Sequence, residues 1–229
     1  MTENVNIIQP DPRDQKKYYF HATLFRRGFL ALVKYLLWFV LDIRASGAEN
    51  LPESGAVVLV MNHLTGYDVF PIQFSTPRPI FAIAKAELHK NFIIAAVLRQ
   101  LGSFPVNRGK QDQWVIHHAE KVLEHGLVLG IFPEGTRSKG RGLRSAKTGA
   151  ARFAIKANCP LVPMSIAGTE EVFKTFPRRA KVSVTFGEPI YPQPNEGPLA
   201  LTDRVMFAIA DMLPPELRGV YAERPEGFG

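Results

Sequence analysis

The chain has 229 residues, 46% of them hydrophobic and 21% charged, enough for one sizeable core and too few for two ordinary domains. Lysine and arginine together number 28 against 21 acidic residues, and the formal charge of +7 calls for an anionic partner: nucleic acid, anionic lipid or a phosphorylated substrate. The single cysteine, Cys159, excludes an internal disulfide and a cysteine-rich zinc site, and its place before Pro160 at the head of an apolar run marks a core residue rather than a nucleophile.

Residues 1–14 are polar and partly acidic, and no short apolar segment with a small-residue cleavage site follows, so a secretory signal is not expected. Residues 28–43 (GFLALVKYLLWFVLDI) are the most apolar stretch, but they include Lys34 and are flanked by Arg26, Arg27 and Arg44. They fall short of the roughly 20 residues a spanning helix needs. The expectation is a helix lying in one leaflet, with Trp38, Tyr35 and the cations at headgroup level and the leucines beneath. Lys16, Lys17, Tyr18, Tyr19 and Phe20 are expected to extend that contact; the competing reading is a helix packed on the protein's own core. The chain thus divides into a membrane-associating helical segment, residues 1–45, and one globular domain, residues 46–229.

Beyond Ser46, short apolar runs alternate with helical stretches. Strands are expected at 56–61, 79–85, 103–106, 127–132, 161–166 and 181–187. Helices are expected at 91–101, at 111–124 with Gly126 as a stop, at 147–158, and at 201–213 before Pro214-Pro215. This alternation predicts a three-layer α/β sandwich with a largely parallel sheet, preceded by the N-terminal membrane-associating helical segment.

Chemistry concentrates where strands end. Asn62-His63-Leu64-Thr65-Gly66-Tyr67-Asp68 follows the strand 56–61, and open α/β sheets place reactive groups at the carboxyl ends of their strands. A His–Asp spacing of five is not a same-face helical pair. It works if the chain turns at Thr65-Gly66 and Asp68 faces back from a first helical turn, holding one imidazole nitrogen protonated and freeing the other as a general base. Alone, the pattern is weak and fits a merely structural contact equally well. Phe132-Pro133-Glu134-Gly135-Thr136-Arg137-Ser138 reaches the same sheet edge and opens the segment 137–156, with seven basic residues and no acidic one. Glycines and guanidinium groups in such a loop suit phosphate, although a solvated basic loop would look the same. Phe104-Pro105-Val106-Asn107-Arg108-Gly109 adds another arginine, and Leu161-Val162-Pro163-Met164-Ser165 on its own passes for a core strand. No Gly-x-Ser-x-Gly nucleophile elbow is present. Gly135 to Gly140 has Walker-like glycine spacing, but Arg141-Gly142 stands where Lys-Ser/Thr is required. His117, His118 and His125 show no metal-ligand pattern, so no metal is expected.

These four blocks, in this order, closely resemble the 1-acylglycerol-3-phosphate acyltransferases within the wider glycerolipid acyltransferases, over residues 47–187. The resemblance implies transfer of a fatty acyl group from acyl-CoA or acyl carrier protein to the sn-2 hydroxyl of lysophosphatidic acid, giving phosphatidic acid, with no cofactor beyond the thioester donor. It implies His63 as the base and Asp68 as its partner. It assigns Arg108, Glu134, Gly135 and Arg137 to the acceptor's glycerol phosphate, Lys85 to the same phosphate, and Pro163 to substrate binding or the shape of the site. It further implies a membrane-associated enzyme on the cytoplasmic face, in contact with anionic lipids; a nucleic-acid partner is not expected, because no nucleic-acid-binding signature is present and the basic residues cluster around the site rather than along an aromatic stripe. Lys147-Thr148-Gly149 resembles a family segment without an assigned role. Glycerol 3-phosphate or another lysolipid as acceptor, and from a different class a non-catalytic membrane or anionic-ligand binding protein, stay open at this point.

Overall fold

In chain order the strands are β1 (Leu41–Ser46), β2 (Val57–Met61), β3 (Ile80–Lys85), β4 (Ser103–Val106), β5 (Val128–Ile131), β6 (Leu161–Ala167) and β7 (Ala180–Phe186). The computed structural model describes residues 11–16, 18, 20–107 and 112–225. The strands form one sheet in the order β1-β7-β6-β2-β5-β3-β4, parallel throughout except for the antiparallel pair β6–β7. The central strands carry almost unbroken apolar runs, VVLVM in β2 and LVPMSIA in β6, and every residue of both is buried. Such strands need cover on both faces, which is why they lack the polar alternation of half-exposed sheets.

Among the described residues the cover comes from six helices: α1 (Leu24–Leu37), α2 (Val69–Ser75), α3 (Phe92–Gln100), α4 (Gln113–Glu124), α5 (Gly149–Ala157) and α6 (Pro198–Asp211). α4, α5 and α6 lie side by side against β5, β2 and β6, while α1 packs on α2 and α2 on β7. This is the expected three-layer α/β arrangement. Local chemistry sets several boundaries: the Asn91 side chain accepts the first N–H groups of α3, and Asp112 caps α4 through the N–H of Val115.

The N-terminal third departs from expectation. Residues 28–43 are not one helix: α1 stops at Leu37, and Leu41 begins β1, which pairs with β7 from Leu41↔Ala180 to Ser46↔Thr185. The division drawn at residues 45 and 46 therefore cuts through a strand, and the N-terminal segment is tied into the sheet. α1 buries a single residue, Arg26, whose guanidinium donates to Gln73 Oε1 of α2 at 3.0 Å and to the Ile80 carbonyl at 3.1 Å. Its large apolar residues, Leu24, Phe25, Leu32, Tyr35 and Leu36, face outward, and Trp38 and Phe39 continue the exposed surface. No helix among the described residues is long and apolar enough to cross a membrane.

The aromatic residues upstream of α1 turn inward, contrary to the surface contact expected of them. Tyr18, Phe20, Trp114 and Phe104 surround His118, with centroid distances of 5.0, 5.3, 4.8 and 4.6 Å, while Lys17 and Tyr19 lie outside the described residues. Burial among these rings, helped by the nearby Lys121 and His117, pushes the His118 pKa down from 6.5 to about 4. Between those values the unfolded chain binds a proton that the folded chain refuses. The stability tied to His118 is therefore complete above pH 6.5 and declines as the pH falls toward 4. Over this interval the melting temperature should fall more steeply for the wild-type chain than for His118→Phe; parallel curves would acquit His118.

Candidate active site

Four parallel strands, β6, β2, β5 and β3, deliver their carboxyl ends to one edge of the sheet. At the end of β2 the side chain of Asn62 replaces a piece of backbone: Nδ2 donates to the Ile166 carbonyl at 2.9 Å, and Oδ1 accepts from the Ile166 N–H at 2.8 Å. The β2–β6 ladder is satisfied one residue further while the main chain leaves the sheet. His63 stands on that departing chain, its ring stacked on Phe132 at 4.2 Å and 23°.

The chain then turns through Thr65 and Gly66 and re-enters helical conformation at Asp68, the first cap of α2. Asp68 faces back, as the spacing requires. Its Oδ2 accepts from His63 Nδ1 at 2.7 Å and from the Leu64 N–H at 2.8 Å. Oδ1 accepts from the Thr65 hydroxyl at 3.1 Å and the Thr169 hydroxyl at 2.5 Å, and the Thr65 N–H reaches both oxygens. With a carboxylate at Nδ1, the imidazole proton sits on that nitrogen and Nε2 keeps its lone pair. The His63 side chain is 17% exposed and that of Asp68 is 0% exposed, so a ligand reaches the imidazole and not the carboxylate behind it.

The loop after β5 is laced to this turn. Glu134 Oε1 accepts from the His63 N–H at 2.8 Å, and Oε2 accepts from the Arg144 N–H at 3.0 Å. The Ser138 and Lys139 N–H groups donate to the His63 and Leu64 carbonyls at 2.8 and 3.1 Å. Burial pushes the Glu134 carboxyl upward, against the pull of its two backbone donors. This carboxylate is thus spent on positioning backbone, where the resemblance assigned it to the acceptor. Arg137 lies against the His63–Asp68 turn, since a Cβ at Gly66 would sit only 3.4 Å from its Nη2. Gly135 has φ +67, a conformation open to glycine at little cost, and a Cβ there would lie 3.6 Å from Lys147 Nζ. Two exposed cations therefore flank the loops that carry His63 and Glu134.

The other expected residues are more scattered. Lys85 ends β3 and pairs with Glu87 at 3.2 Å; counted along the register Leu59↔Gly130↔Ala82, it stands level with Asn62 and Pro133, two strands from β2. Arg108 lies outside the described residues. Pro163 is buried within β6 opposite Val60, three residues short of His63's level. Its missing N–H falls where the ladder with β7 ends, and it packs against Gly187 rather than lining the edge. Thr169 and Lys147 were not singled out as site residues from sequence. Thr169 follows β6 directly, so its place after a parallel strand end was the signal to find it. Among the described residues no cluster of three or more His, Cys, Asp or Glu side chains is arranged to hold a metal ion.

An α/β sheet that brings a carboxylate-held imidazole and two cations to one edge has the parts of a base-dependent enzyme for an anionic substrate. Residues 42–167 match the family model described as Acyltransferase, and the chain belongs to that family. It is 30% identical over 146 residues to the 1-acyl-sn-glycerol-3-phosphate acyltransferase of Borreliella burgdorferi, covering 62% of this chain and 58% of that protein. It is 31% identical over 150 residues to the enzyme of the same description from Bacillus subtilis, covering 65% and 74%. The match thus spans little more than half the length of the first relative and about three quarters of the second. Among solved structures, the 1-acyl-sn-glycerophosphate (LPA) acyltransferase PlsC from Thermotoga maritima superposes with a TM-score of 0.65 at 25% identity, over 81% of this chain and 78% of that one.

Glu134→Gln would turn one carboxylate oxygen into a donor facing a backbone N–H. The loss of stability should be about 1–3 kcal/mol, read from the urea midpoint. An unchanged midpoint would mean that the two bonds hold nothing together.

Proposed function

We propose that this chain transfers a fatty acyl group from the thioester of acyl-CoA or acyl carrier protein to the sn-2 hydroxyl of 1-acylglycerol 3-phosphate, forming phosphatidic acid. The observation that carries this reading is the His63–Asp68 pair, with Nε2 directed away from the carboxylate and the cations of Arg137 and Lys147 close by. The relatives' descriptions as 1-acyl-sn-glycerol-3-phosphate acyltransferases favour this acceptor over glycerol 3-phosphate.

In this mechanism His63 Nε2 removes the proton of the acceptor hydroxyl as that oxygen attacks the thioester carbonyl. Asp68 holds the tautomer and stabilises the imidazolium that forms. Collapse of the tetrahedral intermediate breaks the carbon–sulfur bond, the departing thiolate takes the proton back from His63, and ester and thiol leave. No acyl-enzyme is invoked. The buried Cys159, its thiol pushed up to about 11 by desolvation, is no nucleophile. The acceptor phosphate lies between Arg137 and Lys147 over the Gly135 backbone, with Lys85 closing on it from the β3 end, and Arg108 is kept as a phosphate ligand on the family resemblance alone. Glu134 and Pro163 shape the site without touching the phosphate. No cofactor and no nucleic acid take part.

The exposed face of α1 joins the enzyme to the membrane, on the cytoplasmic side where the thioester donors are made. Its outward leucines and aromatics seat in the interfacial layer, and anionic lipids answer the net positive charge.

The test is a transfer assay of the purified chain with lipid vesicles, crossing acyl-CoA and acyl carrier protein donors with lysophosphatidic acid and glycerol 3-phosphate. His63→Ala should lose about 10²–10⁴-fold in turnover with an unchanged melting curve. Normal turnover by the folded variant would reject the base. Asp68→Asn should also lose turnover. Arg137→Ala should instead raise the acceptor concentration needed for half-saturation, and an unshifted saturation curve would remove Arg137 from the phosphate site.

A further inference from the structure

The sheet order sets His63, at the end of β2, between β6 on one side and β5 and β3 on the other. The chain leaving each flank exposes large apolar side chains. Beyond β6, Phe173 is 55% exposed and Phe176 69% exposed. Beyond β3, α3 begins with Phe92, Ile93 and Ile94, all exposed. Neither group belongs to α1.

Phe173 adopts φ +66, a left-handed conformation that strains a bulky residue. Burial does not offset this strain, because the ring stands mostly in water. Its neighbour is the exposed ring of Tyr67, 5.6 Å away, within the turn that joins His63 to Asp68. Lys174 and Arg178 are exposed in the same loop, together with the acidic Glu171, while Glu170 is half-buried. Glu171 pairs with Lys174 at 3.2 Å, but both side chains are open to solvent, where such a pair is weak and readily exchanged. At the other flank, Lys85 and Lys90 are exposed beside Glu87. Rings held out into water among basic side chains form a surface suited to a headgroup layer: the rings sit at the level of the glycerol backbone and the cations lie on lipid phosphates.

We propose that the catalytic edge is a second lipid contact, formed by other residues than α1 and joined to its exposed face where Arg179 lies over the Trp38 ring at 4.9 Å. Phe173 and Phe176 on one flank of His63, and the tip of α3 on the other, seat in the headgroup layer of an anionic bilayer, with Lys174 and Arg178 on lipid phosphates. His63 then opens onto the membrane rather than onto water. This rests on the reading that the acceptor is a membrane lipid, which would pass from the leaflet to the imidazole without crossing bulk solvent.

The experiment compares the full chain with Phe173→Ser/Phe176→Ser. Both proteins are sedimented with phosphatidylcholine vesicles containing phosphatidylglycerol, and assayed on vesicle-embedded lysophosphatidic acid and on a short-chain lysophosphatidic acid dissolved as monomers. The double variant should lose about tenfold in vesicle binding and in turnover of the embedded acceptor. It should stay within about twofold of wild type on the dissolved one. Equal loss on both acceptors would place the rings in the substrate site and overturn the inference, as would no loss on either. A loss confined to acyl carrier protein as donor, absent with acyl-CoA, would make the rim a protein-docking surface and overturn it too. Lys174→Glu/Arg178→Glu should weaken binding to the anionic vesicles and leave binding to pure phosphatidylcholine unchanged. If the wild-type chain makes no phosphatidic acid from either acceptor, the proposed function fails, while the sedimentation results still decide the surface on their own.

Discussion

The Asp68 carboxylate is fully withdrawn from solvent, and a buried carboxylate is tolerable only when donors fill its oxygens. Five donors do so: the His63 ring, the Leu64 and Thr65 N–H groups, and the hydroxyls of Thr65 and Thr169. They come from two chain segments far apart in sequence, the turn after β2 and the exit of β6. The requirement to satisfy one side chain therefore fixes the turn, orients the imidazole and ties β2's loop to that of β6.

A second carboxylate repeats the device at the neighbouring strand. Glu134 gathers the N–H of His63 with one oxygen and that of Arg144 with the other, while the Ser138 and Lys139 N–H groups close on the His63–Asp68 turn from the far side. The basic loop and the histidine loop thus behave as one body resting on the sheet. On the proposed function, His63 and the cations are held in a fixed relation before substrate arrives, and groups held in geometry have already lost the freedom that a free encounter would have to remove.

Much of this was legible because parallel, fully covered strands declare themselves. VVLVM of β2 and SFPV of β4 are apolar runs bounded by turn residues, and the chemistry sits where they end. The His63–Asp68 pairing was legible because it is local, closed by one turn. β1 was not: LDIRAS is an edge strand with half of its residues exposed, and it follows an apolar helix through Trp38, Phe39 and Val40 with no polar break. α2, VFPIQFS, is too short to show a helical period and carries Pro71 in its first turn. The antiparallel run of β7 was hidden because a strand's pattern fixes its faces and not its direction. The backbone partners of Glu134 were hidden for a similar reason, as a side chain's type announces a charge without saying which N–H lies before it. Thr169 contacts Asp68 only through the fold, across a separation that no local motif records.

The geometry of α1 carries a consequence for the protein in dilute solution. α1 buries only an arginine fully, held by Gln73 and the Ile80 carbonyl, and of its apolar residues Leu37 packs against the core while Leu24, Phe25, Leu32, Tyr35 and Leu36 stay exposed. Those five outward leucines and aromatic rings are left uncovered. Stripped of amphiphiles, the same residues have only their counterparts on other copies to cover them, so clustering of purified molecules, reversed by added detergent, is the natural behaviour of this surface.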